Sequence, residues 1–338
     1  MMTKFTVAFW AAGLVAAVLL SPRRKDLLSK WLWLGVAVAL VIYLPNLLWQ
    51  IQHRFISLDF LKAIHARDLL WGRGSNFLPE QITSSTNPFA LPLWVAGLLG
   101  CLFVPALKRF RPLAWMFLTT FLIFLVARGR SYYVAPAYVM LIAAGSAWWV
   151  NWLNALPAVS QRVGKGILSG LVALGGLAAI IVVKPVAPVN SDLWRVTSRL
   201  NPEVVEMVGW EDLVSQVAAV SQKIPGEEKA RAAILAGNYG EAGALDLYGR
   251  HLNLPPIISG SNNYWYRGYG KPEPQTVIVV GYEAGYAMQF FQSCTYEGTI
   301  KNSLGVMNEE STRHTGLYLC REPHRPWNQM WPEMLWFQ

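Results

Sequence analysis

Charge is scarce in this chain. Of its 338 residues only 14% are Asp, Glu, Lys or Arg, where a soluble domain carries about 25%. The deficit excludes an ordinary water-soluble globule and places much of the chain in a membrane. Cysteine is rarer still: three residues, with no CxxC pair and no metal-knuckle spacing. The five histidines form no HxxxH or HExxH pair, so no dedicated metal site is expected, although a divalent cation at a carboxylate stays open. Neither a GxGxxG run nor a Walker lysine occurs, which removes the common nucleotide loops, and no repeat of fixed period is visible. The net charge of +9 would point to nucleic acid in a soluble protein. Here much of it flanks apolar segments, where it sets orientation and meets anionic lipids, so nucleic acid is not an expected partner.

What the chain has instead is apolar length, with 54% hydrophobic residues and 16 Trp. Six stretches, roughly residues 5–20, 31–49, 88–105, 113–127, 132–150 and 166–183, approach the apolar length of about 20 residues that a bilayer crossing needs. The expected fold class is a multi-pass α-helical membrane protein of about six spans over residues 1–183. The fourth and fifth stretches are separated only by Arg128 to Ser131, which reads as a tight hairpin or as a break in one long helix. Basic residues accumulate on the cytoplasmic ends of such helices. Arg23, Arg24, Lys25 and Lys30, then Lys108, Arg109 and Arg111, then Arg162 and Lys165 share one side, expected to be cytoplasmic. Lys4, Arg128, Arg130 and the cations of residues 50–87 share the other. The expected location is the inner (plasma) membrane, with the C-terminal region on the periplasmic side. The first span follows a single lysine and precedes the strongest basic cluster, unlike a cleaved signal peptide. On this topology the chain begins outside, an unusual start, and so reads as the middle of a longer protein.

Composition changes after residue 183. Residues 184–338 are expected to form a small external α/β domain with a mainly parallel sheet. Pro202 to Gln222 is an amphipathic helix with Trp210, Leu213, Val217 and Val220 on one stripe. Ala232–Ala236, Ile257-Ile258, Thr276–Val280 and Leu317–Cys320 are its strands, alternating with a helix that runs to about Leu252.

Several groups of residues carry chemistry. Arg128, Arg130, Tyr132 and Tyr133 face outward on this topology; arginine makes bidentate bonds to phosphate and tyrosine adds hydroxyl donors. They form the expected lipid-phosphate site, with snorkelling and belt anchoring as the alternative. The outer loop, residues 50–87, carries a stretch from Leu58 to Ile64 with the spacing of a surface helix. It also carries His53 and the pair Glu80-Gln81 just ahead of the third span. Glu80 would assist a sugar hydroxyl, hold a cation or serve as a helix N-terminal charge; His53 and Gln81 are candidates for bonding an acceptor. Gly237-x-x-Gly240-x-x-Gly243 after a strand is either a tight packing turn or an anion loop, with Glu241 and Asp246 as weaker sugar or cation ligands. In the loop Asn262–Arg267, Asn263 and Trp265 would bond and stack on a glycan, unless the aromatics form an interfacial belt. Cys294 and Cys320 share an oxidising compartment that permits a disulfide; Cys101 is an inert small hydrophobe within a span.

Three ordered pieces resemble a known family. Tyr43-Leu-Pro45-Asn46-Leu-Leu-Trp49-Gln50-x-Gln-His53, then Phe77-Leu-Pro-Glu80-Gln81 before Asn87-Pro88, then Arg130-Ser-Tyr132-Tyr133-x-Ala-Pro136-Ala-Tyr138 are similar to bacterial GT-C-fold membrane glycosyltransferases related to protein mannosyltransferases and aminoarabinose transferases. The stretch from Ala233 through Gly260 looks like the C-terminal domain of one subgroup. The resemblance implies inverting transfer of a sugar from a polyprenyl-phosphate carrier to a glycan, lipid or protein acceptor outside the cytoplasm. It implies an aspartate base in the first external loop, within an Arg-Asp-Glu-like motif, and basic residues stabilising the departing phosphate. That motif is missing ahead of the first basic loop; Arg67-Asp68-Leu69 lies elsewhere and lacks the glutamate. The chain is therefore expected to be the C-terminal portion of such an enzyme, with its base upstream. The competing expectation is a noncatalytic membrane protein whose external domain binds a glycan or protein. Transport is disfavoured because the spans hold almost no ionisable residue at mid-depth.

Overall fold

The computed structural model describes residues 5–338, Arg23 by its backbone alone. Lys4, counted above with the outer charges, lies outside the described residues. The chain divides into two compact units, Met1–Ala179 and Ile180–Gln338, the boundary falling inside the last long helix.

The first unit is helical: α1 (Val7–Leu19), α2 (Lys30–Gln52), α3 (Ile56–Leu70), α4 (Phe77–Thr83), α5 (Leu91–Phe103), α6 (Arg111–Val126), α7 (Ala135–Asn154) and α8 (Ala158–Val183). Proline sets three of the starts, entering the first turn of α5, α6 and α7 where its missing N–H costs nothing. Helices α5 and α7 touch backbone to backbone at Gly97 and Gly145, where any Cβ would overlap the facing helix. An aromatic core of Phe77, Phe117, Phe124 and Tyr138 joins α4, α6 and α7.

Among the described residues four helical segments are long and apolar enough to cross a membrane: Lys30–Gln52, Pro105–Val126, Ser131–Asn154 and Ala158–Val183. Phe77–Thr83 and Pro88–Phe103, bent by 87°, make a fifth if they count as one. Of the six expected spans, four are found by this measure, or five with the bent pair. Helix α1 has 13 residues, which at 1.5 Å each span about 20 Å against a hydrocarbon core of about 30 Å. The third stretch gives the helical segment Pro88–Phe103, which passes as a span only together with α4, and a bend separates the two. After that bend the Asn87 side chain accepts the Ala90 N–H and starts a short 3-10 turn.

The second unit holds the end of α8, then α9 (Asp192–Leu200), α10 (Trp210–Gln222), α11 (Gly226–Lys229), β1 (Ala232–Ala236), α12 (Tyr239–Tyr248), β2 (Ile257–Ile258), β3 (Thr276–Val280), α13 (Ala284–Phe290), β4 (Phe291–Thr299), α14 (Glu309–Thr312), β5 (Gly316–Pro323) and α15 (Trp327–Met330). The strands form one sheet in the order β2-β1-β3-β5-β4. β1 pairs in parallel with β2 and β3, whereas β5 runs antiparallel to both β3 and β4. The sheet is mixed, which corrects the expectation of a mainly parallel one. Parallel neighbours need a crossover; the β4–β5 connection, although it carries α14, returns β5 antiparallel beside β4 and does not cross the sheet. The amphipathic helix begins at Trp210 rather than Pro202, because Gly209 takes φ 95° and breaks the run. Its apolar stripe packs with β1 and β3 in one core layer, and Trp327, Met330 and Trp331 close the other face.

A disulfide joins Cys294 on β4 to Cys320 on β5, residues directly opposite in the ladder. It closes a loop with a sequence separation of 26 and ties the edge strand to the sheet. Thiol alkylation of the native chain is expected to leave both cysteines unmodified until a reductant is added. Modification of either beforehand would refute the bond.

Candidate functional site

The most heavily charged group in the first unit gathers around Asp68, at the C-terminal end of α3. Arg130 grips this buried carboxylate with both arms: Nε donates to Oδ2 at 2.6 Å and Nη2 to Oδ1 at 3.0 Å. Arg67 and Arg73 each bring a guanidinium nitrogen 3.6 Å from Oδ1. Both also lie over the Trp71 ring, at 4.7 and 4.9 Å from its centroid. Three guanidiniums therefore surround one carboxylate, and positive charge is left in excess. Arg67 Nε is buried without a hydrogen-bond partner. Burial alone would raise the Asp68 pKa, but the Arg130 bond and the charges of Arg130, Arg73 and Arg67 outweigh it and hold the carboxyl below its usual range. The bond to Asp68 in turn raises the Arg130 pKa.

The loop Trp71–Ser75 and the α6–α7 connection come together by close backbone approach. Gly74 has φ 95°, and a Cβ there would stand 2.8 Å from the Arg128 carbonyl oxygen. Gln81 fastens α4 beneath: its Nε2 donates to the Phe77 carbonyl at 2.9 Å and to the Ser131 carbonyl at 3.4 Å, and its Oε1 accepts from the Tyr138 hydroxyl at 2.9 Å. Gln81, expected as an acceptor contact, is thus buried and spent on the protein itself. Glu80 beside it is half-buried.

Arg128 has a different place. Helix α6 ends with Gly129 N–H donating to Phe124 at 2.8 Å and Arg128 N–H to Leu125 at 3.2 Å, the pattern in which the residue after the cap turns left-handed. Glycine ordinarily fills that position, yet here it is Arg128, at φ 49° and with an exposed side chain. A left-handed conformation costs a side-chain-bearing residue about 1 kcal/mol. Arg128→Gly is therefore expected to raise thermal stability slightly, as read from the unfolding transition in lipid nanodiscs. A clear drop would show that the arginine side chain holds the turn.

Tyr132 accepts from Arg130 Nη1 at 3.3 Å and packs edge-on against Tyr133; the Tyr133 carbonyl accepts from the Trp10 indole at 3.2 Å. The structure thus brings Arg130 and Tyr132 together with Arg67, Asp68 and Arg73. The last three were missed as a site because Arg67-Asp68-Leu69 departs from the family motif. The signal available was local: two arginines, an aspartate and a tryptophan within the seven residues Arg67 to Arg73. His53 ends α2, stacked on Trp49 with its Nδ1 2.8 Å from the Trp49 carbonyl oxygen.

In the second unit, the glycine turn after β1 is closed by the protein's own carboxylate. Glu241, fully buried on α12, accepts Gly237 N–H at 2.7 Å and Asn238 N–H at 3.1 Å, while Asn238 accepts the Glu241 N–H at 2.8 Å. This capping box fills the position an anion would take, so the packing-turn reading holds. His314 Nδ1 stands 3.5 Å from the other Glu241 oxygen. Asp246 is also engaged, accepting from Tyr264 at 2.8 Å and Arg267 at 2.7 Å. Trp265 turns inward, its indole donating to the Trp331 carbonyl at 2.8 Å, and Asn263 is exposed. Among the described residues no group of three or more His, Cys, Asp or Glu side chains is placed to hold a metal ion.

No family model, curated protein or solved structure matches this chain.

Proposed function

We propose that the first unit is a membrane-embedded part of a glycosyltransferase of the GT-C type, taking a polyprenyl-phosphate-linked sugar and serving transfer to an acceptor outside the cytoplasm. In this reading the apolar helices cross the inner membrane and the second unit lies in the periplasm. The observation that supports it is the arginine cluster of Arg67, Arg73 and Arg130 around one carboxylate, with Arg128 on the adjoining turn. Asp68 fixes the guanidiniums in place, and the uncompensated charge and the orphaned Arg67 Nε are suited to a phosphate. As a sugar leaves its carrier, negative charge grows on that phosphate, and fixed guanidiniums stabilise it without reorganising.

Asp68 is a poor proton acceptor, because three arginines favour its ionised form. It anchors the cluster and is not the base. Glu80 remains an auxiliary candidate on α4, and the principal base is assigned to a carboxylate outside these elements. The alternative, a noncatalytic protein reading glycans through Asn262–Arg267, is weakened because Trp265 is half-buried against the core and its indole is spent on the Trp331 carbonyl.

Binding of undecaprenyl phosphate to the full chain in nanodiscs tests the reading, with undecaprenol as the uncharged control. Arg73→Ala and Arg128→Gly, both at exposed side chains, are each expected to weaken binding about tenfold, since a charge-assisted bond is worth about 1.5 kcal/mol or more. Equal binding of the alcohol and the phosphate would overturn the assignment.

A further inference from the structure

Helix α9 presents an apolar face that the protein does not cover. Leu193, Val196 and Leu200 are 49%, 53% and 66% exposed, and their spacing of three and four places them on one stripe. Trp194 and Thr197, one step round the helix, are buried. Arg195, Arg199 and Asp192 occupy the remaining arc, all exposed, with Arg195 paired to Asp192 at 3.3 Å. The helix is well formed: Ser191 caps it by accepting the Trp194 N–H at 3.2 Å. Its far end is tied to the top of α8, because the Asn201 side chain donates to the Val182 carbonyl at 3.2 Å. The last turn of α8 and the residues just beyond add Val183, Val186 and Lys184, also exposed.

A helix with one apolar stripe and an arginine shoulder has the build of a helix that lies in the plane of a bilayer interface. The tether to Val182 decides what covers the stripe. A helix fastened to the end of a spanning helix is held at headgroup depth, where apolar residues reach the acyl boundary and arginines meet phosphates. From this we propose that α9 is a lipid-binding surface, seating the second unit on an anionic bilayer through Leu193, Val196 and Leu200 with Arg195 and Arg199 at the headgroups. The proposal rests on the reading that α8 crosses the membrane.

The test uses the full chain carrying Cys101→Ala, reconstituted in nanodiscs of phosphatidylcholine with phosphatidylglycerol. Single cysteines replacing Leu193, Val196 or Leu200 carry an environment-sensitive fluorophore, read against spin-labelled lipid and against aqueous iodide. A fourth label replaces Leu174, an exposed residue midway along α8. The expected result is strong lipid quenching at all three α9 positions, within about twofold of that at position 174, and weak iodide quenching. Iodide quenching at α9 with lipid quenching at 174 overturns the proposal and leaves the spanning helix standing. Shielding from both quenchers at α9 means a protein contact covers the stripe and also overturns it. Iodide quenching at position 174 overturns the membrane reading itself.

Discussion

Arg130→Ala is expected to lower stability by about 2–4 kcal/mol, the largest effect of any single change at the arginine cluster. Removing one member of a buried pair leaves the other charge without its hydrogen bonds, which costs more than the pair contributes to folding. Asp68 is buried and would retain only Arg67 and Arg73, each 3.6 Å away and without a hydrogen bond of good length. Those two charges keep the loss below that of a carboxylate left bare. Arg130→Lys is expected to recover little, because a single ammonium cannot make the two parallel bonds to Oδ1 and Oδ2. The measurement is a double-mutant cycle with Asp68→Asn, following thermal unfolding in nanodiscs. A coupling smaller than about 0.5 kcal/mol would mean that the pair does not hold the two loops together. The same cycle separates roles: loss of undecaprenyl phosphate binding in Arg130→Ala alone is ambiguous, whereas loss in Arg128→Gly without loss of stability is not.

Stability of the second unit is expected to fall as pH rises from about 5 to 8. Four carboxylates, Glu206, Glu241, Glu309 and Glu310, and the His314 imidazole gather around α14. Burial pushes the Glu310 carboxyl up to about 7, with the charges of Glu241, Glu206 and Glu309 adding to it. One Glu310 oxygen is buried without a hydrogen-bond partner. The bond to Glu241 raises His314 above its ordinary value, against burial, and the charges of Glu241, Glu309 and Glu310 add to the rise. Unfolded, these groups would release their protons near 4.5 and 6.5. Folded, they keep them to higher pH, so the native state binds more protons and loses stability as pH rises through the folded values. The Glu310 contribution is complete below 4.5 and gone by about pH 7; raising a carboxyl that far corresponds to about 3 kcal/mol. His314 adds a contribution that is lost only above its ordinary range. For a unit of this size the combined change is a fall in the melting transition of roughly 5–10 °C. Glu310→Gln keeps the shape and removes the titration, so its transition should be higher than wild type at pH 8 and nearly equal at pH 4.5. Parallel pH profiles for the two proteins would contradict the assignment to Glu310.

The strands β1 and β3 were legible as short apolar runs because they are buried on both faces, and burial is what an apolar run records; the two-residue edge strand β2 showed as the Ile257-Ile258 pair. β4 was not. Phe291–Thr299 is an edge strand with only Phe291 buried, so it carries no apolar run, and its partner across the ladder had to be known before it could be seen. The direction of β5 was likewise invisible, since periodicity does not register strand polarity. In the first unit, apolar length located the helices but not which of them are long enough to cross a membrane, because the bend ahead of Pro88 and the shortness of α1 are matters of backbone geometry.

The candidate site divides in the same way. Arginines with tyrosines on a turn between two apolar helices are a local pattern, and the sequence alone marked Arg128, Arg130, Tyr132 and Tyr133. It could not show that Arg130 is bound to Asp68, which lies 62 positions away, or that Gln81 is a buried clamp. Composition and the length of its apolar runs determined by themselves that this chain has a helical apolar half and a polar α/β half. The tertiary structure alone decided which charges meet. Hydrophobic length is a sum over neighbours along the chain, whereas an ion pair depends on two side chains from distant segments meeting, here at 3.0 Å.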